Sequence, residues 1–318
     1  MKKDPLSSKK KNCGSVPEQC PCCKSTQLEV ERACELQPQF NEILGDLSKL
    51  GLLLCFARNR SCSIGVAGCV PDLLTDKTSS AGCNYDMNLH LNTPAWQYAY
   101  SVHERNSNGG SFIGMEFFDK NHNGLFRIAL TPDSEVQEFQ NITRNYYRRP
   151  VSAEEIGTWR RMAELTPLNE ANHTPISESF IQKDSWSAPL VSSERQETND
   201  EMGFSGHLPL CRTALAEALN DNAELVLTVA GGFGRVCTTF APKVLEDAQR
   251  GWLFAGGDGR MLRFNPCAVA TYWIGKHETP KESYSYLEAV DCFGDLILRI
   301  TSYNPDSHRN WQALASAF

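Results

Sequence analysis

Three groups of side chains in this 318-residue chain have types and spacings that could do chemistry. The first is Cys20-Pro21-Cys22-Cys23, with Cys13 and Cys34 outside it. Thiolates at such spacing can close a tetrahedral zinc shell, which makes Cys20, Cys22 and Cys23 candidate zinc ligands. The run is not a repeated CxxC pair, so a disordered thiol-rich tail and a redox role are the competing readings. The second group is Arg127 and Arg299, each flanked by apolar residues. A guanidinium projecting from a central strand presents a fork that fits a carboxylate. Glu116 and Glu288 recur with them, so the alternative for each arginine is a cross-strand ion pair inside the protein. The third group is the imidazoles, which ligate metals when neutral. His90 lies between Leu89 and Leu91, on a strand face opposite two apolar residues; His173 lies in a polar stretch; His277 stands at a strand end beside Lys276. The plain readings are a structural strand histidine for His90, a solvent-exposed one for His173 and a strand-end one for His277.

Other chemistries lack their signatures. Gly231-Gly232-Phe233-Gly234 follows a strand but has neither GxGxxG spacing nor a helix start after it, so it reads as a turn. Neither a nucleophile elbow nor HExxH is present. A formal net charge of -7 argues against a nucleic-acid partner, and the lysines between Lys2 and Lys11 read as a solvated tail. No run of 18 apolar residues exists, which excludes insertion by a membrane-spanning helix. The N-terminal charges are not followed by an apolar segment, so the expected compartment is the cytoplasm. Thirteen cysteines, an odd number scattered through apolar segments, fit reduced buried thiols better than a disulfide framework.

The elements that must position these groups can be read from periodicity. Residues 1–38 read as a Cys-rich basic tail. Phe40 to Leu50 has helical spacing and ends at Gly51. Leu52 to Ala57 reads as a buried strand. In Ala95 to Val102 the large residues Trp96, Tyr98, Tyr100 and Val102 share one parity, which predicts one face of a strand. Strands over Phe112–Phe118 and Leu125–Leu130, with short turns between, predict an antiparallel meander. Ser134 is the expected cap of a helix carrying Val136, Phe139 and Ile142. Ser152 and Glu155 form a capping box for a second helix that carries Ile156, Trp159 and Met162. A long polar linker runs to residue 208, and a helix at 209–222 restarts order.

The second half then repeats the first. Leu52, Leu54 and Ala57 match Leu225, Leu227 and Ala230; Glu116 and Asp119 match Glu288 and Asp291; Arg127 matches Arg299, all at offsets of 172 or 173. Face parity survives the comparison, with Trp96, Tyr98 and Tyr100 mapping onto Val269, Thr271 and Trp273. A one-residue slip would invert every face, so this agreement marks an internal duplication. The expected layout is a first repeat at 39–150, a helix and linker at 151–208, and a second repeat at 209–318.

Asn88-Leu89-His90-Leu91-Asn92 resembles a motif of the haemin-degrading and haem-utilisation family (HemS/ChuX), which carries Asn-Leu-His-Leu-Arg before a strand rich in Ala and Trp. Leu262-Arg263-Phe264-Asn265, Ala268 to Trp273, Leu287-Glu288, Asp291 to Ile297 and Trp311 continue the resemblance in the second copy. It covers residues 45–318 apart from 164–208. It implies an α+β fold, internally duplicated, with large antiparallel β-sheets flanked by helix pairs. It implies haem as cofactor or cargo, bound between sheet and helices for utilisation, trafficking or degradation. The family's iron-binding His falls here at Thr166, its Gln-Ile-His stretch becomes Val236-Cys237-Thr238-Thr239, and its Arg-Lys becomes Lys276-His277. The axial ligand is therefore sought among His173, His277 and His90, and the propionate partners among Lys276, Arg299 and Arg127. The alternative is a non-enzymatic relative that kept the scaffold, lost haem and binds another small molecule or a partner.

Overall fold

The computed structural model describes residues 28–75, 79–106, 111–158, 202–248, 251–278 and 283–317. The first half contains β1 (Leu28–Leu36), α1 (Phe40–Leu47), β2 (Gly51–Arg58), β3 (Cys62–Cys69), β4 (Leu74–Thr75), β5 (Ser80–Cys83), β6 (Asn88–Leu91), β7 (Trp96–Asn106), β8 (Ser111–Asp119), β9 (Gly124–Ser134), α2 (Val136–Asn145) and β10 (Tyr147–Val151). The second contains β11 (Met202–Ser205), α3 (Leu210–Asp221), β12 (Leu225–Gly231), β13 (Gly234–Phe240), β14 (Val244–Asp247), β15 (Leu253–Gly257), β16 (Arg260–Phe264), β17 (Thr271–Glu278), β18 (Ser283–Val290), β19 (Leu296–Ser302) and α4 (Ser307–Ser316). This is an α+β fold of two antiparallel sheets with helices against them.

The duplication is visible in hydrogen-bond register. Glu116 pairs with Arg127 across β8 and β9, and Glu288 with Arg299 across β18 and β19. The turns between those strands match as well. Asp119 accepts from the backbone N–H groups of Asn121 and Asn123, and Asp291 from those of Phe293 and Asp295. These are the same offsets of two and four residues, 172 positions apart.

The two sheets do not follow the two halves of the sequence. The first sheet runs β10-β1-β7-β8-β9-β2-β3-β16-β15-β14 and the second β11-β17-β18-β19-β12-β13-β6-β5-β4. Each half thus completes the other's sheet with three strands: β6 pairs with β13, and β16 with β3. A single apolar core fills the space between, with Leu53 and Cys55 of β2, Leu227 and Val229 of β12, Ile43 and Leu44 of α1, Phe139 of α2, Leu215 of α3 and Trp311 of α4. The exchanged strands bury their inner faces in this common core, so the halves share one core.

Asn59, in the turn between β2 and β3, pins the halves at the centre. Its Nδ2 donates to the carbonyls of Ala230 (2.9 Å) and Ile297 (2.8 Å), and its Oδ1 accepts from the N–H groups of Ser61 and Cys62. Asn59→Ala removes all four bonds and is expected to cost about 2 kcal/mol or more, read as a lower melting temperature with an unchanged circular-dichroism spectrum.

The helix expected from Phe40 is present, and Gly51 takes the left-handed φ of 71° that ends its last turn. The helix at 209–222 is α3, closed by Asn222 at φ 49°. Glu155 N–H donates to Ser152 Oγ at 3.1 Å, as the capping box requires. Several expectations are corrected. Residues 28–36 are not tail: β1 is a sheet strand between β7 and β10, disguised by charged residues set among its apolar ones. The linker at 151–208 ends in a strand, β11, paired with β17. Ser134 does not cap α2; it ends β9, where its hydroxyl bonds the Leu52 carbonyl and accepts from Thr131 N–H, and Val136 is exposed. Trp96 does not share a face with Tyr98 and Tyr100. A bulge between Trp96 and Tyr98 turns the strand over. Trp96 packs in the main core against Phe117 at 4.7 Å, while Tyr98, Tyr100 and Val102 join a separate cluster with Phe118, Val151 and Ile156.

Candidate ligand-binding face

Alternation along each strand gives both sheets an inner face in the core and an outer face turned away from it. In the second sheet Tyr272, Ile274, Leu287, Leu298, Leu227, Val236, Leu89 and Leu91 point inward. Their neighbours make outward rows. One row reads Trp273–Glu288–Arg299–Thr228–Cys237–Asn88 across β17, β18, β19, β12, β13 and β6. The next reads Ala230–Arg235–His90–Ala81. The exchange of β6 is what brings His90 beside Arg235. Gly234 permits it: at φ 115° its chain passes so close to β6 that a Cβ would lie 2.0 Å from the His90 carbonyl oxygen.

The electrostatics of the two sheets differ at matching positions. In the first sheet, Arg127 Nη2 donates to Glu104 Oε2 at 2.7 Å, and its Nε lies 3.0 Å from Glu116 Oε1. The second approach is an ion pair without hydrogen-bond alignment, since that Nε has no aligned acceptor. Phe112 covers the guanidinium at 3.4 Å. Two buried carboxylates therefore answer one arginine. In the second sheet the position of Glu104 is taken by His277, 173 residues later. Among the described residues Arg299 keeps only Glu288, at 3.6 Å, and it lies 4.2 Å over the ring of Tyr286. Its buried Nε has no hydrogen-bond acceptor among the described residues, and neither has that of Arg235.

The residues singled out from the sequence separate accordingly. Arg299, His90 and His277 share the outer face of the second sheet. His277 stacks on Tyr284 at 4.7 Å, which meets Tyr303 edge-on at 5.8 Å, at the far end of that face. From strand spacing, His277 and His90 stand about 30 Å apart, and Arg299 and His90 about 16 Å. Lys276 alternates to the other side and pairs with Glu278 at 3.0 Å. Arg127 lies in the first sheet, in the ion pair that was its competing reading. His173, Cys20, Cys22 and Cys23 lie outside the described residues. Cys34 belongs to β1, where burial raises its thiol pKa and keeps it protonated. Among the described residues no three His, Cys, Asp or Glu side chains gather where a metal ion could sit, and no helix is long and apolar enough to cross a membrane.

His90 is half-buried, and burial followed by the Arg235 charge pushes its pKa down to about 4. Its imidazole is neutral near pH 7, with a lone pair on one ring nitrogen. Sequence reasoning missed Arg235 and Glu104. Parity marks both as outward, but their importance depends on which strand lies alongside.

The model of the haemin-degrading HemS.ChuX domain matches residues 24–146. No curated protein matches the chain in sequence. Among solved structures, the heme degrading enzyme ChuS of Escherichia coli O157:H7 superposes with a TM-score of 0.66 at 16% identity, over 89% of this chain and 86% of that one. Holo-PhuS, a heme-binding protein from Pseudomonas aeruginosa, superposes with a TM-score of 0.66 at 16% identity, over 91% and 87%. At these identities the likeness is one of fold.

Proposed function

From a chain that carries a HemS.ChuX domain on a doubled ChuS-like scaffold, we propose a haem-binding protein that takes its ligand on the outer face of the second sheet. The observation that carries this reading is the difference between the two copies. The first sheet neutralises its half-buried arginine with two buried carboxylates. The second replaces one of them by His277 and, among the described residues, answers Arg299 with a single carboxylate, Glu288, at 3.6 Å. A ligand with two carboxylates suits such a face, where Arg299 offers a fork for one carboxylate.

His90 is the described imidazole placed to meet the iron. It shares the Arg299 side of the face, and its nitrogen needs no proton removed before it can ligate. Haem, when bound, supplies iron-centred redox and oxygen chemistry. The chain's own part is to hold the ring, match its carboxylates and present an imidazole.

Titration of the purified protein with haemin is expected to give a saturable Soret band at one haem per chain; no saturable band would sink the reading. In His90→Ala that band is expected to shift or vanish, while His277→Ala stays as wild type. His173→Ala completes the series. A wild-type spectrum in His90→Ala would move the iron ligand to whichever of the other two variants loses it.

A further inference from the structure

Arg235 is 6% exposed, and among the described residues neither an ion pair nor a hydrogen bond holds its guanidinium. The other buried or half-buried arginines differ. Arg127 has Glu104 and Glu116; Arg260 has Thr238 and Asp86; Arg299 has Glu288. Arginine cannot escape a buried position by losing its proton, so the charge stays. A buried cation without an anion is costly, by several kcal/mol in real proteins.

The row around it offers no anion. Ala230, Arg235, His90 and Ala81 lie side by side, and the adjoining row is Thr228, Cys237, Asn88 and Cys83. Thr228 and Cys237 satisfy each other at 3.1 Å. The first sheet shows that the fold itself does not demand this arrangement. Its matching pair is Ser63 and Arg263, and there the arginine is exposed, 4.9 Å over the ring of Trp252. Both copies place one arginine in this row, but only the second buries it.

Arg235 and Arg299 stand on one face, two strands and two residues apart, which is about 12 Å between their backbones. We propose that Arg235 is a carboxylate subsite of this face, anchoring one acid arm of the bound ligand while Arg299 takes the other. The inference rests on the haem reading and deepens it. It makes Arg235 the residue that distinguishes a free-acid porphyrin from an esterified one.

The test compares haemin with haemin dimethyl ester on the full chain. Wild type is expected to prefer haemin by about tenfold or more, the worth of a charge-assisted contact. Arg235→Met is expected to weaken haemin by about tenfold to hundredfold and leave the ester unchanged, and Arg235→Lys to recover part of the loss. The ligand-free Met variant should also melt at a higher temperature than wild type, because a buried unanswered charge is gone; a merely structural arginine would move it down. A haemin-to-ester ratio unchanged in Arg235→Met overturns the proposal, and if that variant does not fold, an unchanged ratio in Arg235→Lys does so. If wild type binds neither porphyrin, the haem reading fails by itself. Inorganic phosphate then decides the subsite: a rise in melting temperature in wild type but not in Arg235→Met retains an oxyanion site, and no difference between them overturns it.

Discussion

Arg127→Met is expected to lower folding stability by about 3–5 kcal/mol while leaving the haemin affinity of the folded protein unchanged. Glu104 is fully buried and Glu116 nearly so, and both lie within 3.0 Å of this guanidinium. Removing the cation leaves two like charges close together in a low-dielectric setting. The penalty belongs to the repulsion between the two carboxylates rather than to the arginine's contacts. The triple variant Glu104→Gln, Glu116→Gln, Arg127→Met, which removes all three charges together, should therefore recover much of the loss. Denaturant melts of the single and triple variants check this. Equal stability of the two would show that the ion cluster does not hold the first sheet as its geometry implies.

The double variant Glu288→Gln, Arg299→Met is expected to bind haemin about tenfold to hundredfold more weakly than wild type, with a much smaller loss of stability. The double change is made because Arg299→Met alone would also break the ion pair of Glu288, which is 1% exposed. Removing the pair together withdraws the fork without leaving a buried charge. The pairs Glu116–Arg127 and Glu288–Arg299 occupy matching positions, so the two predictions form a controlled comparison. One copy should respond in stability, the other in ligand affinity. Equal haemin affinity in wild type and the double variant would remove Arg299 from the site.

Much of the scaffold was legible because its signals are local. The 172-residue offset, the meander, α1 with its Gly51 stop and the capping box at Ser152 each need only neighbours in sequence, and each is present. The misreadings have equally specific causes. β1 hides its pattern because Glu31, Arg32 and Glu35 interrupt its apolar residues, and Glu35 is buried only because Arg148 and Arg149 bind it. The face of Trp96 was inverted by one extra residue in the strand, which parity cannot detect. Ser134 has the residue type of a cap, but its hydroxyl found the carbonyl of Leu52, 82 positions away.

The sequence alone established the internal duplication, the α+β meander and the recurrence of Glu–Arg pairs, because these depend on period and spacing within one stretch of chain. Only the tertiary structure decided that the halves trade three strands each, since hydrogen-bonding edges carry no address in the sequence. That trade sets His90 of the first half beside Arg235 of the second, and it leaves the two copies unequal: Arg127 is answered by Glu104, while the matching position before Arg299 is His277. The duplication thus accounts for the scaffold, and the ligand face arises where the copies differ and interleave, because a buried charge depends on which strand lies next to it.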